Sequence, residues 1–523
     1  MNKRSRRAIF SVLAGFTSVL LTGCMSGAWS SDTSHVVIGM SDDVLSTDPA
    51  SGYDPGSWLM FNNVFQSLLS FPDGGTEPVP DAASACAFTD GRSKVFRCTL
   101  KDGLQFSNGD PLTSRDVKFS FDRTLRIDDA AGPAVILQSL EKIDTPDDKT
   151  VVFRLKTPDA TFPSKIASGA GAIVDHREYH ENGLRQDHEV IGSGPYKVDS
   201  FGTKEAVFSV NENYKGVAEV KNSGVVLKFF HGDRGALKAA VTDGKVDIAY
   251  RGLSAQDLTA LDTKHTGDVD VVEGSSAEVQ HLVFNMDDPV AGKLSVRRAL
   301  AYLIDRGALV DKVFAGTAIP LYSIIPAGID SHSNAFTDRY GDAPSRSKAA
   351  AALQEDGITE KVKLTLWSTP SRYGPATDEE LKEIAAQLNA SGLFDAEMRS
   401  VSFSRYEKDI AAGKYGVYVK GWLPDYPDPD NFTAPFFGPG NVLDNKFVNT
   451  AITRTLLPRA AAESDRHNAT PLFDRLQEIV AEQLPVLPVW QGKQYAVVRT
   501  DVEGYQYCLD NSTVFRFWEL FKG

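Results

Sequence analysis

Cysteine is scarce: four residues in 523 are too few for a disulfide framework to stand in for a packed core. No internal repeat, low-complexity tract or long run of like charge occurs, which excludes a solenoid and a charged disordered tail. Hydrolase and nucleotide signatures are also missing. There is no Gly-x-Ser-x-Gly elbow, no His-Glu-x-x-His zinc helix, no papain-like cysteine environment and no Gly-Lys-Ser/Thr phosphate loop. The nine histidines are scattered, with none at metal-ligand spacing. Basic residues are outnumbered, the net charge being -14, so the surface should repel nucleic acid and anionic lipid. Long apolar runs are absent except over residues 8–21, and that run falls short of the roughly 20 residues a membrane helix needs.

What is present at the amino terminus is a signal segment. Lys3, Arg4, Arg6 and Arg7 form a basic head before the apolar run, and small residues follow it. Leu21-Thr22-Gly23-Cys24 resembles the lipobox of bacterial lipoproteins, which implies cleavage before Cys24 and diacylation of its thiol. The alternatives are an ordinary signal peptide or a buried cysteine. Ser5-Arg6-Arg7 allows twin-arginine export, but Ala8-Ile9-Phe10 fits that motif loosely, so the ordinary secretory route is preferred. Loss of residues 1–23 removes four positive charges and takes the net charge from -14 to -18. Residues 24–35, small and polar, form a flexible tether.

The remaining 490 or so residues exceed one typical core, and two or three lobes are expected. Cys86 and Cys98 bracket the turn signal Thr89-Asp90-Gly91, so a hairpin could bring them into bonding distance; two reduced core cysteines are the alternative. Cys508 is expected to be a buried thiol. Strand-like alternation recurs at 36–40, 150–155, 205–210, 225–230, 362–367 and 417–420, with helical periods between. Ser295 is a candidate cap for a helix facing inward through Val296, Ala299, Leu300, Leu303 and Ile304. Thr377 and Glu380 make a capping-box pattern, with Gly392 at the expected stop. Strand, helix and strand between Val362 and Trp422 form a βαβ unit, and the mixed order throughout indicates α/β lobes.

Four segments share one resemblance. Residues 100–123, with the Asn108-Gly109 turn and Thr113 before a helix, resemble the signature of the family 5 extracellular solute-binding proteins, the peptide-binding receptors of ABC importers. Ile191-Gly192-Ser193-Gly194-Pro195-Tyr196 is similar to the family's GTGPY turn; Ser193 is no nucleophile, because Ile191 and Pro195 stand where an elbow needs glycines. The third segment runs from Val283-Phe284-Asn285 through Leu294–Arg306 to Ile325-Pro326, and the fourth is Gly421-Trp422-Leu423-Pro424-Asp425-Tyr426-Pro427-Asp428-Pro429-Asp430-Asn431-Phe432. Thr47-Asp48-Pro49-Ala50 and Val79-Pro80-Asp81 are weaker matches. The resemblance implies a two-lobed periplasmic-binding-protein clamshell of the α/β class with an additional domain. Lobe I would comprise 36–80, 190–285 and 490–523, domain II 81–189 and lobe III 286–489, with a hinge at the crossings near 285 and 490.

The same resemblance points to ligand contacts. Asp425 falls where peptide receptors of this kind pair an acid with the ligand's ammonium; otherwise it is a solvated loop acid. Trp422 offers an apolar wall or is plain core, and Tyr426 could stack or donate. Arg372 lies where dipeptide receptors bind the ligand carboxylate, a surface arginine being the alternative. Asp425, Asp428 and Asp430 do not form a calcium loop, since Pro427 and Pro429 interrupt it. No cofactor or metal is expected. The expected partners are a short peptide and the permease subunits of an importer, with membrane contact through lipid alone and a monomeric, extracytoplasmic, non-enzymatic protein. An oligosaccharide receptor of the same fold is the nearer alternative, and a nickel receptor the more distant one. In a different class, a lipid-anchored hydrolase such as a glycosidase stays open, because paired carboxylates abound in any acidic chain.

Overall fold

The computed structural model describes residues 35–71, 74–264, 268–370, 372–374 and 376–523. Cys24, the leader and most of the tether lie outside them. Among the described residues, a central sheet of eleven strands runs in the order Phe394–Ser400, Val362–Ser368, Val417–Trp422, Val269–Phe284, Val486–Arg499, Ile248–Tyr250, His35–Met40, Gly224–Phe229, Glu205–Val210 and Tyr196–Phe201. Ala318–Pro320 pairs separately with Val486–Arg499.

Two parallel patches lie within this sheet. Val362–Ser368 is parallel to both Phe394–Ser400 and Val417–Trp422, and helix Thr377–Ala390 makes the first crossover. On the other side, His35–Met40 is parallel to Gly224–Phe229 and Ile248–Tyr250. The patches are joined by Val269–Phe284 and Val486–Arg499, paired antiparallel with a register break between Ser275 and Val279. Each of these long strands is buried in different company at its two ends. Val279–Phe284 and Val486–Trp490 belong to an apolar core reaching from Ala277 to Trp490, whereas Ala496 and Val498 belong to one built from segments around 36–65, 172–250 and 496–520.

A third core, mostly from Leu68 to Ile173, packs beneath a four-stranded antiparallel sheet of Ala83–Phe88, Val95–Leu100, Thr150–Leu155 and Leu140–Asp144. Cys86 and Cys98 stand opposite each other in its first hairpin and are joined as a disulfide. Cys508 is buried and unbridged. Helix Ser114–Ile127 crosses this core with Val117 and Phe121 inward; Asp116 accepts from the N–H and hydroxyl of Thr113 at 2.8 and 2.9 Å. From the same helix, Arg123 grips Asp48 through two hydrogen bonds of 2.7 and 2.6 Å, both side chains being essentially inaccessible.

Two helix starts differ from expectation. Helix Leu294–Leu303 begins after Lys293, and Ser295 is already inside it, donating to Asp356 at 2.5 Å. Helix Thr377–Ala390 has no capping box. Thr377 turns its hydroxyl back to the carbonyls of Tyr373 and Gly374, both at 2.9 Å, and Glu380 is swung inward, where Gln280 donates to it. At the other end Gly392 takes a left-handed φ of 73° past the last turn, the conformation that favours glycine there.

Candidate functional site

In open α/β sheets, ligands collect beyond the carboxyl ends of parallel strands. Here those ends release Ser41, Asp42 and Asp43 after His35–Met40 and Arg251 after Ile248–Tyr250. In the other patch they release residues 369–376 after Val362–Ser368 and residues 423–431 after Val417–Trp422. The long strand Val269–Phe284 runs between, with Val279 opposite Trp422 and Gln280 opposite Gly421.

Asn431 organises the loop after Trp422. Its Oδ1 accepts from the indole N–H of Trp422 at 2.7 Å and from the backbone N–H of Asp425 at 3.2 Å, while its Nδ2 lies 3.4 Å from Asp425 Oδ2. Trp422 is half-buried and sets its ring edge-on to Phe436, 5.2 Å between centroids. Asp425 takes a hydrogen bond of 2.5 Å from the hydroxyl of Tyr53, a residue far away in sequence that abuts Trp58 at 5.5 Å. Burial pushes the Asp425 carboxyl above its ordinary range, offset in part by the hydrogen bonds from Tyr53 and Asn431 and less by Lys165. Asp425 forms no ion pair with a described residue, so its charge is held by a phenol and an amide alone.

The other candidates sit apart from Asp425. Tyr426 is only 5% exposed and joins the core around residues 68–173; the Lys165 ammonium lies 5.7 Å from its ring centre. In this conformation its ring is packed into that core and is not open to a ligand. Arg372 is exposed and lies over the ring of Phe403, 5.1 Å from its centre. Its neighbour Tyr373 covers Gly421, where a Cβ would come within 3.0 Å of the ring. The three acids of the loop diverge: Asp428 forms a two-pronged pair with Arg466, both contacts 2.8 Å, and burial raises Asp430 to about 6.

Asp116, Asp175 and His176 are close enough to hold a cation, but their oxygens are already occupied. Asp116 accepts from Thr113 and approaches His176 Nδ1 at 2.6 Å. Asp175 meets the Arg177 guanidinium at 2.7 Å and the amide of Asn108 at 3.2 Å.

Sequence reading missed a second group of polar residues on the crossing strands. Arg251 donates to Asp42 at 2.6 Å. Glu278 lies at the register break, half-buried, its carboxyl raised by burial and only partly offset by Arg251. Gln280 and Glu380 are fully buried. Glu380 is pushed up to about 8 by desolvation; the Trp490 indole N–H faces its second oxygen without reaching hydrogen-bond geometry. Nothing in the local sequence marks these residues, because a polar side chain on a strand reads as solvent-facing until its neighbours are known. Tyr53 was invisible for a related reason: its contact spans 372 positions.

Residues 77–444 match the family described as Bacterial extracellular solute-binding proteins, family 5 Middle. The probable D,D-dipeptide-binding periplasmic protein DdpA of Escherichia coli is 26% identical, the match covering 90% of this chain and 91% of that protein. Among solved structures, HbpA2 from Haemophilus parasuis superposes with a TM-score of 0.82 at 20% identity, over 94% of this chain and 100% of that one. DppA from Helicobacter pylori in complex with the peptide STSA gives 0.74 at 20% identity, over 93% and 98%. The periplasmic-binding fold read from the four motifs is therefore the fold observed, and the chain belongs to family 5 of the bacterial extracellular solute-binding proteins, a family of solute receptors.

Proposed function

We propose that this protein is the extracytoplasmic receptor of an ABC importer for short peptides, held at the membrane by a lipid on Cys24. The carrying observation is Asp425: a half-buried carboxylate beyond the carboxyl ends of the parallel strands, fixed by Asn431 and Tyr53 but in no ion pair among the described residues. A peptide's ammonium supplies that charge. Relatives named for dipeptide binding and a neighbour solved with a bound peptide favour the same ligand class. Trp422, locked by Asn431, would form the apolar wall, and Arg372, free of any carboxylate among the described residues, would take the far end of a dipeptide.

Capture would proceed by closure about the two crossing strands, with lobe I at 36–80, 190–285 and 490–523, domain II at 81–189 and lobe III at 286–489. The register break between Ser275 and Val279 supplies a local irregularity at which such strands can bend. Calorimetry with Ala-Ala tests the reading. Leaving a desolvated charge without its partner costs about 3–5 kcal/mol, so Asp425→Ala should lower affinity at least roughly a hundredfold. Unchanged affinity would remove Asp425 from the site. A wild-type protein that ignores peptides and retains chito- or cello-oligosaccharides would overturn the peptide assignment, and turnover of either would overturn the receptor reading.

A further inference from the structure

Resting on the peptide-receptor reading, we infer that the same cleft contains a second cation subsite at Glu278, so that the preferred ligands carry a basic side chain in addition to their ammonium. Glu278 and Gln280 are two apart on Val269–Phe284, beside Trp490 and Gly492 of the neighbouring long strand. Glycines face both of their oxygens. A Cβ at Gly492 would stand 3.2 Å from Glu278 Oε2, and one at Gly421 would stand 3.3 Å from Gln280 Oε1, so no Cβ crowds either oxygen from its glycine, while the rings of Trp490 and Tyr373 stand beside them.

The acceptors are unfilled. Glu278 makes no side-chain hydrogen bond or ion pair with a described residue. Arg251, which partly offsets the raised Glu278 carboxyl, is committed through Nε to Asp42 at 2.6 Å, and those two charges cancel. Gln280 is independent of that carboxylate count. It is fully buried, its Nε2 is spent on Glu380, and this fixes Oε1 on the other side, where it has no partner. A buried carbonyl left without a donor costs about 1–3 kcal/mol, which a multi-donor group would recover. A carboxylate and an amide oxygen two residues apart on one strand each suit a guanidinium or ammonium, and both repel a carboxylate.

Register puts this subsite next to the first. Val279 faces Trp422, so Glu278 lies one step beyond that pair, towards the loop that carries Asp425. One small ligand can therefore present its ammonium to Asp425 and its side-chain cation to Glu278.

Calorimetry on the whole mature chain with Ala-Arg, Arg-Ala, Ala-Gln, Gln-Ala and Ala-Glu decides the matter. The expected result is that at least one arginine peptide binds ten or more times tighter than its glutamine counterpart, with Ala-Glu weakest, and that Glu278→Gln reduces the advantage to less than threefold. Arginine and glutamine peptides of equal affinity, or an advantage that survives in Glu278→Gln, overturn the subsite while leaving the peptide receptor standing. Failure to bind any of the five overturns both. The wild-type ranking alone supports or overturns the subsite even if the variant does not fold.

Discussion

Two buried groups, His281 on a long strand and Glu380 on a helix, hold their protons in opposite senses. His281 is buried with no hydrogen-bond partner among the described residues for either ring nitrogen, and desolvation lowers it from the ordinary 6.5 to about 3. The folded protein thus refuses a proton that the unfolded chain accepts, and stability falls as pH drops below 6.5. Glu380, bonded to the neighbouring Gln280, is raised from 4.5 to about 8. It keeps a proton that the unfolded chain has released, so stability falls as pH rises from 4.5 towards 8. Between 4.5 and 6.5 the two slopes oppose each other, and outside that window one acts alone. At about 1.4 kcal/mol per pH unit of displaced titration, either group can change stability by a few kcal/mol. In calorimetric melting from pH 4 to 9, Glu380→Gln should flatten the alkaline decline and His281→Leu the acid one. Parallel curves for variant and wild type would show that the group does not hold its proton this way.

Elements are tied together by acids that sequence motifs flagged without explaining. Asp48, in the Thr47-Asp48-Pro49 match, is engaged in structural contacts. Besides Arg123, it receives the backbone N–H groups of Ala50 and Arg185, at 3.0 and 2.8 Å, and so fastens the segment after the first strand to helix Ser114–Ile127. Asp48→Asn should cost about 3–5 kcal/mol by stranding the buried guanidinium, read as a lower midpoint in denaturant unfolding, whereas a loss below about 1 kcal/mol would assign the pair no more weight than a surface ion pair. Legibility followed the range of the interactions. Strands at 150–155, 205–210, 362–367 and 417–420 were readable because alternation is local, and Thr113 because its partner Asp116 is three residues away. The pattern at Thr377 misled: Glu380 has the right spacing for a box, but burial against Gln280, 100 positions distant, decides its rotamer. Asp425 was reached through resemblance. Tyr53, Glu278 and Gln280 were not, since their roles exist only after distant strands pair.

For the molecule as a whole, the balance between anchorage and motion is open to measurement. No helix among the described residues is long and apolar enough to cross a membrane. A diacylated Cys24 would nevertheless keep the protein with the membrane, two chains holding where one is marginal. Cys24→Ser should move it from the membrane to the soluble fraction and abolish incorporation of labelled palmitate, while a protein that stays membrane-bound and unlabelled would refute the anchor. The state of the remaining thiols adds a practical consequence. Cys86 and Cys98 are joined, and Cys508 is buried and pushed up to about 12, so a chain begun after Cys24 exposes no free thiol. Cysteines introduced at Leu45 and Val448, 73% and 77% exposed, would be the thiols available to a dye pair. If the proposed closure brings the two positions closer, such a pair would report solute optically without first deleting a native cysteine.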